Sequence, residues 1–218
     1  MSEAAARPRV TIVVPVFNEE AVLPALLRRL AAVFDGERDR VWRAVLVDDG
    51  SRDRTAGLVR AQAVRDPRFE LVELSRNFGF QSALSAGLAR AREGEAVVTM
   101  DADLQDPPEV IPELVAAWLR GAEVVRAVRR SRAEQGLRRV GFDLFHRVFG
   151  ALSDHPVEPN TGTFGLLGPL AVEAFNALPE HHRFFPGLRS WIGFPTADVS
   201  YDRRERAAGK PRQTLRRL

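Results

Sequence analysis

The chain has 218 residues, of which 45% are hydrophobic and 28% are charged, and its net charge is +3. The length fits one large domain, and the composition is that of a soluble globular protein, which excludes disorder for most of the chain. Cysteine is absent, which excludes disulfides, thiolate metal sites and cysteine nucleophiles. No uncharged stretch reaches the ~20 apolar residues that a membrane-spanning helix needs.

Basic residues are concentrated at the end of the sequence. Residues 201–218 carry six arginines and one lysine against two acidic residues, a local charge of +5, which leaves residues 1–200 at −2. A DNA-binding protein spreads positive charge over a face. The uneven distribution favours an anionic surface or a phosphate-bearing ligand as partner, or a tail that is merely solvated.

Strand and helix patterns alternate in the first half of the chain. The apolar, β-branched run from Val10 to Phe17 predicts a buried strand, and apolar residues at helical spacing predict the helix after it. The alternation recurs, with further strands predicted at residues 42–47, 69–74 and 96–100. The pattern predicts an α/β fold with a Rossmann-like, mainly parallel central sheet flanked by helices.

Polar residues close three of these predicted strands. They occupy residues 15–19, 48–51 and 101–103. In open parallel sheets ligands bind beyond the carboxyl ends of the strands, so the three groups are expected to gather along one edge. Each group alone is also explained by turns and helix caps. Together they indicate a ligand site.

Asp101 and Asp103 form the most informative pair. In an extended segment, side chains two residues apart lie on the same face, where two carboxylates repel each other unless a cation lies between them. Carboxylate oxygens suit Mg²⁺ or Mn²⁺, and Gln105 continues the alternation as a candidate third oxygen ligand. The alternative is that Asp103 or Asp106 caps the following helix.

Five segments, taken in order, resemble a known family. They are PVFNEE (15–20), DDGSRDRT (48–55), SRNFGFQSALSAGL (75–88), DADLQDPPEVIP (101–112) and RERAAGKPR (204–212). The series resembles the family 2 glycosyltransferases of the GT-A fold. Within them it is similar to the polyprenyl-phosphate sugar synthases, such as dolichyl-phosphate mannose synthase and bacterial undecaprenyl-phosphate hexosyltransferases. The resemblance covers roughly residues 10–215.

The resemblance implies roles for the matching residues. The residues that would hold a UDP- or GDP-linked sugar are Pro15, Phe17, Glu19, Asp49 and Asp101. The ligands of a divalent metal, Mg²⁺ or Mn²⁺, would be Asp101, Asp103 and Gln105. Carboxylates accept hydrogen bonds from ribose hydroxyls and base N–H groups, and the metal would neutralise charge on the departing nucleoside diphosphate.

Three arginines match phosphate-binding positions of the family. Arg129 and Arg132 match positions in the loop after the fifth strand, and Arg206 matches the arginine of a motif in the tail. Guanidinium groups suit phosphate oxygens. By the resemblance, Asp103 and Arg206 would be the catalytic residues, with Arg206 stabilising the leaving diphosphate, although each arginine could equally be a solvated surface residue.

The sequence departs from the family pattern in the tail, where Pro211-Arg212 replaces the usual Ser-Lys, and at two positions of the segment 160–165. Thr163 stands where several relatives carry aspartate, and Gly165 stands where they carry arginine, so a general base is not evident. An attacking sugar hydroxyl needs a base to take its proton, whereas a phosphate monoester, with a second pKa of about 6, is already an anion at neutral pH. The missing carboxylate therefore favours a lipid phosphate over a growing glycan as acceptor.

The sequence is expected to encode an inverting, metal-dependent hexosyltransferase that acts on a polyprenyl phosphate. Residues 10–202 would form the GT-A catalytic domain, between a disordered lead (1–9) and a basic juxtamembrane-like tail (203–218). The expected location is cytoplasmic, at the inner face of the cell membrane, with a membrane surface or membrane partner and no nucleic acid. The alternatives are transfer to a glycan or protein hydroxyl, and nucleotide binding with little turnover.

Overall fold

A seven-stranded sheet organises the part of the chain that the computed structural model describes, residues 7–91, 93–130 and 161–202. The strands are β1 (Arg9–Val16), β2 (Val41–Asp48), β3 (Phe69–Glu73), β4 (Ala96–Thr99), β5 (Val124–Arg129), β6 (Thr161–Leu167) and β7 (Thr196–Tyr201). The helices are α1 (Leu23–Gly36), α2 (Thr55–Arg65), α3 (Phe80–Leu88), α4 (Ile111–Leu119), α5 (Pro169–Ala177) and α6 (Phe185–Trp191), with a 3₁₀ turn at Pro108–Val110. The strand order is β3-β2-β1-β4-β6-β5-β7.

The first four strands are parallel, as the alternation predicts. β1 pairs with β2 on one side and with β4 on the other, and β2 pairs with β3. The chain therefore proceeds outward from β1 to β3 and then returns to the opposite side of β1. Such a reversal opens a crevice beyond the carboxyl ends of the two strands that flank it, here β1 and β4.

The second half of the sheet is mixed. β6 runs antiparallel to both β4 and β5, whereas β5 and β7 are parallel. The prediction of a mainly parallel sheet flanked by helices is confirmed. The insertion of β6 between β4 and β5 was not part of that prediction, because it depends on pairing between strands that are distant in sequence.

Helices cover both faces of the sheet and explain the continuous apolar strands. On one face, side chains of α1 and α4 pack with Ile12 and Val98, and on the other, side chains of α3 and α5 pack with Val13 and Val97. A strand buried on both faces gains from apolar residues at every position. In α1 the apolar positions recur at helical spacing, so that Leu26 and Leu30 are fully buried.

The segment after β4 differs from the extended conformation predicted for it. β4 ends at Thr99 and residues 102–106 form turns and bends, with Leu104 at a φ of 61°, a left-handed conformation that is rare for a residue with a side chain. The turn buries Leu104 and Asp106 beneath the loop, and this burial offsets the conformational cost. Asp101, Asp103 and Gln105 stay half-buried, so the predicted alternation holds although a turn produces it.

Candidate functional site

A cavity of about 490 Å³ opens beyond the carboxyl ends of β1, β2 and β3. Its lining includes Phe17, Asn18, Asp48, Gly50, Ser51 and Arg76. This volume lies within the range of sites for small molecules, and the position is the one where open parallel sheets bind ligands. Of the residues predicted to hold a nucleotide, Phe17 is part of this lining.

Hydrogen bonds tie the loops after β1 and β2 into one wall of the cavity. The backbone N–H of Asn18 donates to Ser51 Oγ at 2.8 Å, and the N–H of Arg52 donates to Asn18 Oδ1 at 2.8 Å. The N–H of Glu19 donates to Thr55 Oγ1, also at 2.8 Å. Because each bond joins residues from different loops, the wall is formed before any ligand arrives.

Asp49 holds the loop after β3 against this wall of the cavity. It is 3% exposed, and its carboxylate oxygens accept the backbone N–H groups of Phe78 at 2.7 Å and Gly79 at 2.9 Å. The neighbouring Gly50 has a φ of +72°, and a Cβ there would lie 2.6 Å from the carbonyl carbon of Arg76. Asp49 therefore organises the loop after β3, and its role in holding a nucleotide stays a prediction.

Pro15 and Glu19 lie beside the cavity and are absent from its lining within the described residues. Pro15 is buried inside β1, in register with Val47 of β2. The backbone carbonyl of Glu19 accepts the N–H groups of Val22 and Leu23, at 3.1 and 3.0 Å, where α1 begins. Their predicted contact with a nucleotide stays a prediction.

Asp101 and Asp103 follow β4, next to this cavity in the strand order. Asp101 accepts the hydroxyl of Thr163 at 3.0 Å, and Asp103 accepts the backbone N–H of Gln105 at 3.1 Å. Burial raises the pKa of Asp101 to about 6, and the negative charges of Asp106 and Asp103 add to the shift. A cation at this point would relieve that repulsion.

The donor set at Asp101 and Asp103 fits Mg²⁺ or Mn²⁺. Both carboxylates are half-buried, as is Gln105 two residues after Asp103. Within the described ranges, no three His, Cys, Asp or Glu side chains form a metal-binding group by themselves. Mg²⁺ typically combines one or two carboxylates with water and with substrate phosphate oxygens, so a ligand would complete the coordination.

A buried network lies behind this pair. Asp106 is fully buried and accepts the hydroxyl of Tyr201, while Arg129 Nε donates to the Tyr201 oxygen at 3.2 Å. Arg129 Nη2 lies 4.0 Å from Asp106 Oδ1. A Cβ at Gly162 would lie 2.9 Å from Arg129 Nη2, so this glycine leaves room for the guanidinium. The network joins β7 and β5 to the acidic turn.

The electrostatics of this network follow from its burial. Burial and the charge of Asp106 raise the pKa of Tyr201. Burial opposes the charge on Arg129, but the hydrogen bond to Tyr201 and the attraction of Asp106 outweigh it and raise the pKa of Arg129. Sequence reasoning missed Tyr201; that it is the only tyrosine of the chain was the one available signal, and a weak one.

The three predicted phosphate-binding arginines have different outcomes. Arg129 is the last residue of β5, which corrects its predicted place in the following loop, because pairing with β7 extends the strand to Arg129. Arg132 and Arg206 lie outside the described residues, as do most of the predicted lead and all of the predicted tail. None of the described helices is both long and apolar enough to cross a membrane.

The fold and the site together define the class of protein. Its fold is shared with GT-A glycosyltransferases. A mannosyltransferase from Pyrobaculum calidifontis, solved with GDP-Man and Mn²⁺, has a TM-score of 0.60 at 24% identity, covering 90% of this chain and 56% of that one. A glucosyl-3-phosphoglycerate synthase from Mycobacterium tuberculosis, solved with Mn²⁺, UDP-Glc and phosphoglyceric acid, has a TM-score of 0.65 at 22% identity, with 95% and 74% covered.

The chain belongs to glycosyl transferase family 2, whose sequence model matches residues 11–168. It is 39% identical to the uncharacterized glycosyltransferase YkcC of Bacillus subtilis, over 95% of this chain and 64% of that protein. It is 40% identical to the bactoprenol glucosyl transferase of Shigella phage SfV, over 92% of this chain and 65% of that protein. The chain thus spans slightly less than two thirds of these relatives.

Proposed function

We propose that this protein transfers a hexose, with inversion, from a UDP- or GDP-sugar to a polyprenyl phosphate. The observation that carries the proposal is the arrangement of one end of the sheet: a cavity of about 490 Å³ lies beyond β1, β2 and β3, and the Asp101 and Asp103 carboxylates follow the adjacent strand β4. Bactoprenol glucosyl transferases at 40% identity support the class of acceptor. Because the chain spans 65% of such a relative, the activity of the whole protein is part of the proposal.

The donor would bind with its base and ribose at the cavity. Phe17 offers an aromatic surface at the cavity wall, and Pro15, Glu19 and Asp49 support that wall from behind. A wall that is already hydrogen-bonded loses little conformational freedom on binding, which favours affinity. Asp101 would take part in holding the nucleotide as well as the metal.

Asp101, Asp103 and Gln105 would hold Mg²⁺ or Mn²⁺ beside the diphosphate. The metal, when bound, neutralises charge that develops on the leaving nucleoside diphosphate. Asp103, as a catalytic residue, would orient this group. Arg129, Arg132 and Arg206 are the proposed phosphate-binding residues, and Arg206 would further stabilise the leaving diphosphate.

The acceptor supplies its own nucleophile in this proposal. The hydroxyl of Thr163 donates to Asp101 and has no basic group with which to take a proton. A phosphate monoester is already anionic at neutral pH, so its oxygen can form the new bond to C1 while the bond from C1 to the diphosphate breaks. Thr163 is therefore compatible with a phosphate acceptor and unsuited to activating a hydroxyl.

We propose further that residues 10–202 form the catalytic domain and that residues 203–218 form a basic juxtamembrane-like tail. An acceptor with a polyprenyl chain resides in a membrane, and basic residues are attracted to anionic lipid. The protein would then act on the cytoplasmic side, at the inner face of the cell membrane, alone or with a membrane partner.

The experiment that tests the donor site is calorimetric titration of UDP and GDP, each with and without Mn²⁺. We expect one nucleotide to bind in a metal-dependent manner and Asp103→Ala to abolish that dependence. Asp39→Ala is the matched control, because Asp39 is an exposed carboxylate that precedes β2, at the opposite edge of the sheet. If neither nucleotide binds to the wild type, the proposal is wrong for this chain.

The acceptor is tested by mixing the nucleotide sugar chosen above with undecaprenyl phosphate or undecaprenol in detergent. We expect labelled hexose to appear on the phosphate and not on the alcohol. If labelled hexose appears on a glycan or protein hydroxyl and not on the phosphate, the alternative of transfer to such a hydroxyl would be favoured. Metal-dependent nucleotide binding without transfer to either class would favour a relative with little turnover.

A further inference from the structure

Arg189 is a buried cation whose hydrogen-bonding capacity is not filled. It lies on α6, is 2% exposed, and among the described residues its Nε and Nη1 groups have no hydrogen-bond partner. A buried N–H group without a partner costs free energy, and a charged one costs more. A ligand that supplies acceptor oxygens would recover that cost.

The surroundings of Arg189 hold excess positive charge. Asp198 already accepts both Nε and Nη2 of Arg126, at 2.7 and 3.0 Å. Burial and the charge of Arg126 lower the pKa of Arg189 to about 10, which leaves it protonated at neutral pH. Among the described residues, Asp198 is thus the carboxylate near Arg189, and its two oxygens are engaged by Arg126.

Arg183, an arginine in the same part of the fold, has a structural role and can be compared with Arg189. Arg183 stacks on Phe175, 5.6 Å from the ring centre, much as Arg189 stacks on Phe185 at 5.5 Å. Arg183, however, donates from Nε to the carbonyl of Glu180 and from Nη2 to that of Leu178, at 3.1 and 2.6 Å. Both arginines pack on aromatic rings, but Arg183 has its donors satisfied.

The order of the strands locates Arg189 relative to the site. Its Nη1 lies 3.1 Å from the position of a Cβ on Gly165, and Gly165 of β6 pairs in register with Thr99, the last residue of β4. The nucleotide-sized cavity lies beyond β1, β2 and β3, on the other side of β4. Arg189 therefore lies on the side of the acidic turn away from that cavity.

The two sides of α6 suit an amphiphilic ligand. Phe184, which precedes the helix, and Trp191, its last residue, are 54% and 51% exposed. They are seven positions apart and so share a face in helical geometry. Arg189 lies on the inner side, against Gly165. Apolar groups outside and a cation inside match a molecule with an apolar chain and an anionic head.

We propose that Arg189 binds the phosphate oxyanion of the acceptor, with its Nε group as a hydrogen-bond donor. The identity of that phosphate rests on the proposed function, whereas the presence of an oxyanion site does not. A guanidinium N–H donates a charge-assisted hydrogen bond to a phosphate oxygen, and Nε of Arg189 is such a donor left open. Arg189 is thus a binding residue on the acceptor side, in addition to those named above.

The test combines stability with binding in Arg189→Met and in the control Arg183→Met. Binding is measured by calorimetry with farnesyl phosphate, farnesol and inorganic phosphate, without nucleotide. We expect Arg189→Met to raise the Tm, because it removes an uncompensated buried charge, and to weaken farnesyl phosphate binding by about tenfold. We expect Arg183→Met to lower the Tm and keep the affinity. Arg189→Lys, which keeps the charge but loses the Nε donor, should also weaken binding.

The outcomes separate the two proposals. Unchanged affinity in Arg189→Met and Arg189→Lys, or a Tm that falls in Arg189→Met as it does in Arg183→Met, would overturn the site. Loss of inorganic phosphate binding in parallel supports a site for the head group, whereas equal binding of farnesol would overturn it. Binding of farnesyl phosphate through Arg189 without any metal-dependent nucleotide binding would leave this site intact and overturn the proposed donor site.

Discussion

The two halves of the sheet handle polar groups in opposite ways. Beyond β1, β2 and β3, loop side chains and backbone groups bond to one another, as Asn18 does with Ser51 and Asp49 with Phe78 and Gly79. Around β5, β6 and β7, charged side chains are buried together, and Arg189 has open N–H groups. The loops beyond the first three strands are thus hydrogen-bonded without a ligand, whereas Arg189 in the second half has donors that a ligand can fill.

This difference suggests that the two halves of the sheet bind their ligands in different ways. A preformed cavity lets a ligand bind without ordering the protein, and it discriminates by shape. A buried charge lacking a partner stores unfavourable free energy, which is released when an anion of matching geometry enters. We therefore expect substitutions in the first half to lower donor affinity and stability together. In the second half, a substitution should be able to change one of these two properties without the other.

The largest effect is expected at Gly50, where a substitution would disrupt the hydrogen-bonded loops of the first half of the sheet. In Gly50→Val, a side chain at a φ of +72° would meet the backbone of Arg76, so the loops after β2 and β3 must separate. We expect the free energy of unfolding to fall by about 2–4 kcal/mol. Nucleotide affinity should fall by more than about tenfold, since the wall of the cavity is lost. Urea unfolding and calorimetric titration measure the two effects.

Gly57→Ala is the control for that substitution. A Cβ on Gly57, in α2, has no atom within 4 Å. Alanine at a helical glycine stabilises by up to ~1 kcal/mol, and nucleotide affinity should not change. If Gly50→Val keeps its affinity, the cavity wall is not the donor site.

Asp49→Asn should act on the same wall with a smaller effect. One of the two backbone N–H groups would then face an amide NH₂ in place of an oxygen. A buried donor left without its acceptor costs about 1–3 kcal/mol. We expect a loss of this size in urea unfolding, with faster hydrogen exchange at Phe78 or Gly79. Exchange rates equal to those of the wild type would show that Asp49 does not hold this loop.

Tyr201→Phe tests the buried network of Tyr201, Asp106 and Arg129 in the second half of the sheet. It removes the hydroxyl that donates to Asp106 and accepts from Arg129, while the ring can still pack edge-on against Phe164. We expect the free energy of unfolding to fall by about 1–2 kcal/mol, with unchanged UDP or GDP affinity. Tyr201→Leu should cost more, because the ring contact is lost as well. No loss in Tyr201→Phe would contradict a role for the hydroxyl, and equal losses in the two variants would contradict a role for the ring contact.

The smallest effect concerns pH. The pKa of Asp101 is raised to about 6 in the folded protein from an ordinary 3.8, so the folded chain binds a proton more tightly than the unfolded chain between these values. In the metal-free protein the free energy of unfolding should therefore fall as pH rises through this window. Asp101→Asn should lack that component, as urea unfolding at about pH 4.5 and pH 6.5 would show.

The corresponding expectation for Mn²⁺ has the opposite sign. A proton on Asp101 competes with the cation, so Mn²⁺ affinity should increase as pH rises toward neutrality. Calorimetry at the same two pH values measures this. An affinity that does not change with pH would indicate that Asp101 is not a ligand.

The sequence predicted the parallel half of the fold well, for a local reason. Residues 10–17 are apolar and β-branched throughout, and such a run followed by a helical pattern indicates a buried strand and its crossover. The turn at Leu104 was not predictable, because the burial of two side chains beneath the loop offsets an uncommon φ. The sequence pattern does not show that this burial compensates for the uncommon φ of Leu104.

Site residues divide in the same way. Asp101 and Asp103 could be singled out as candidates because two carboxylates follow one strand. The bonds of Asp49 to Phe78 and Gly79 were not, since they connect loops of different strands. Arg189 could not be recognised either, because its character depends on Asp198 being engaged by Arg126. These are relations between distant residues, which only the folded chain brings together.

The position of β6 has a consequence for how the protein reaches its folded state. β6 pairs with β4 and β5, and both precede it in the chain, so its sheet neighbours exist before it is synthesised. Pairings between distant residues are slow to form because they must overcome the entropy of closing a long loop. The strand that carries Thr163 and Gly165, and with it the proposed acceptor side, can therefore join the sheet only after β4 and β5 have been made.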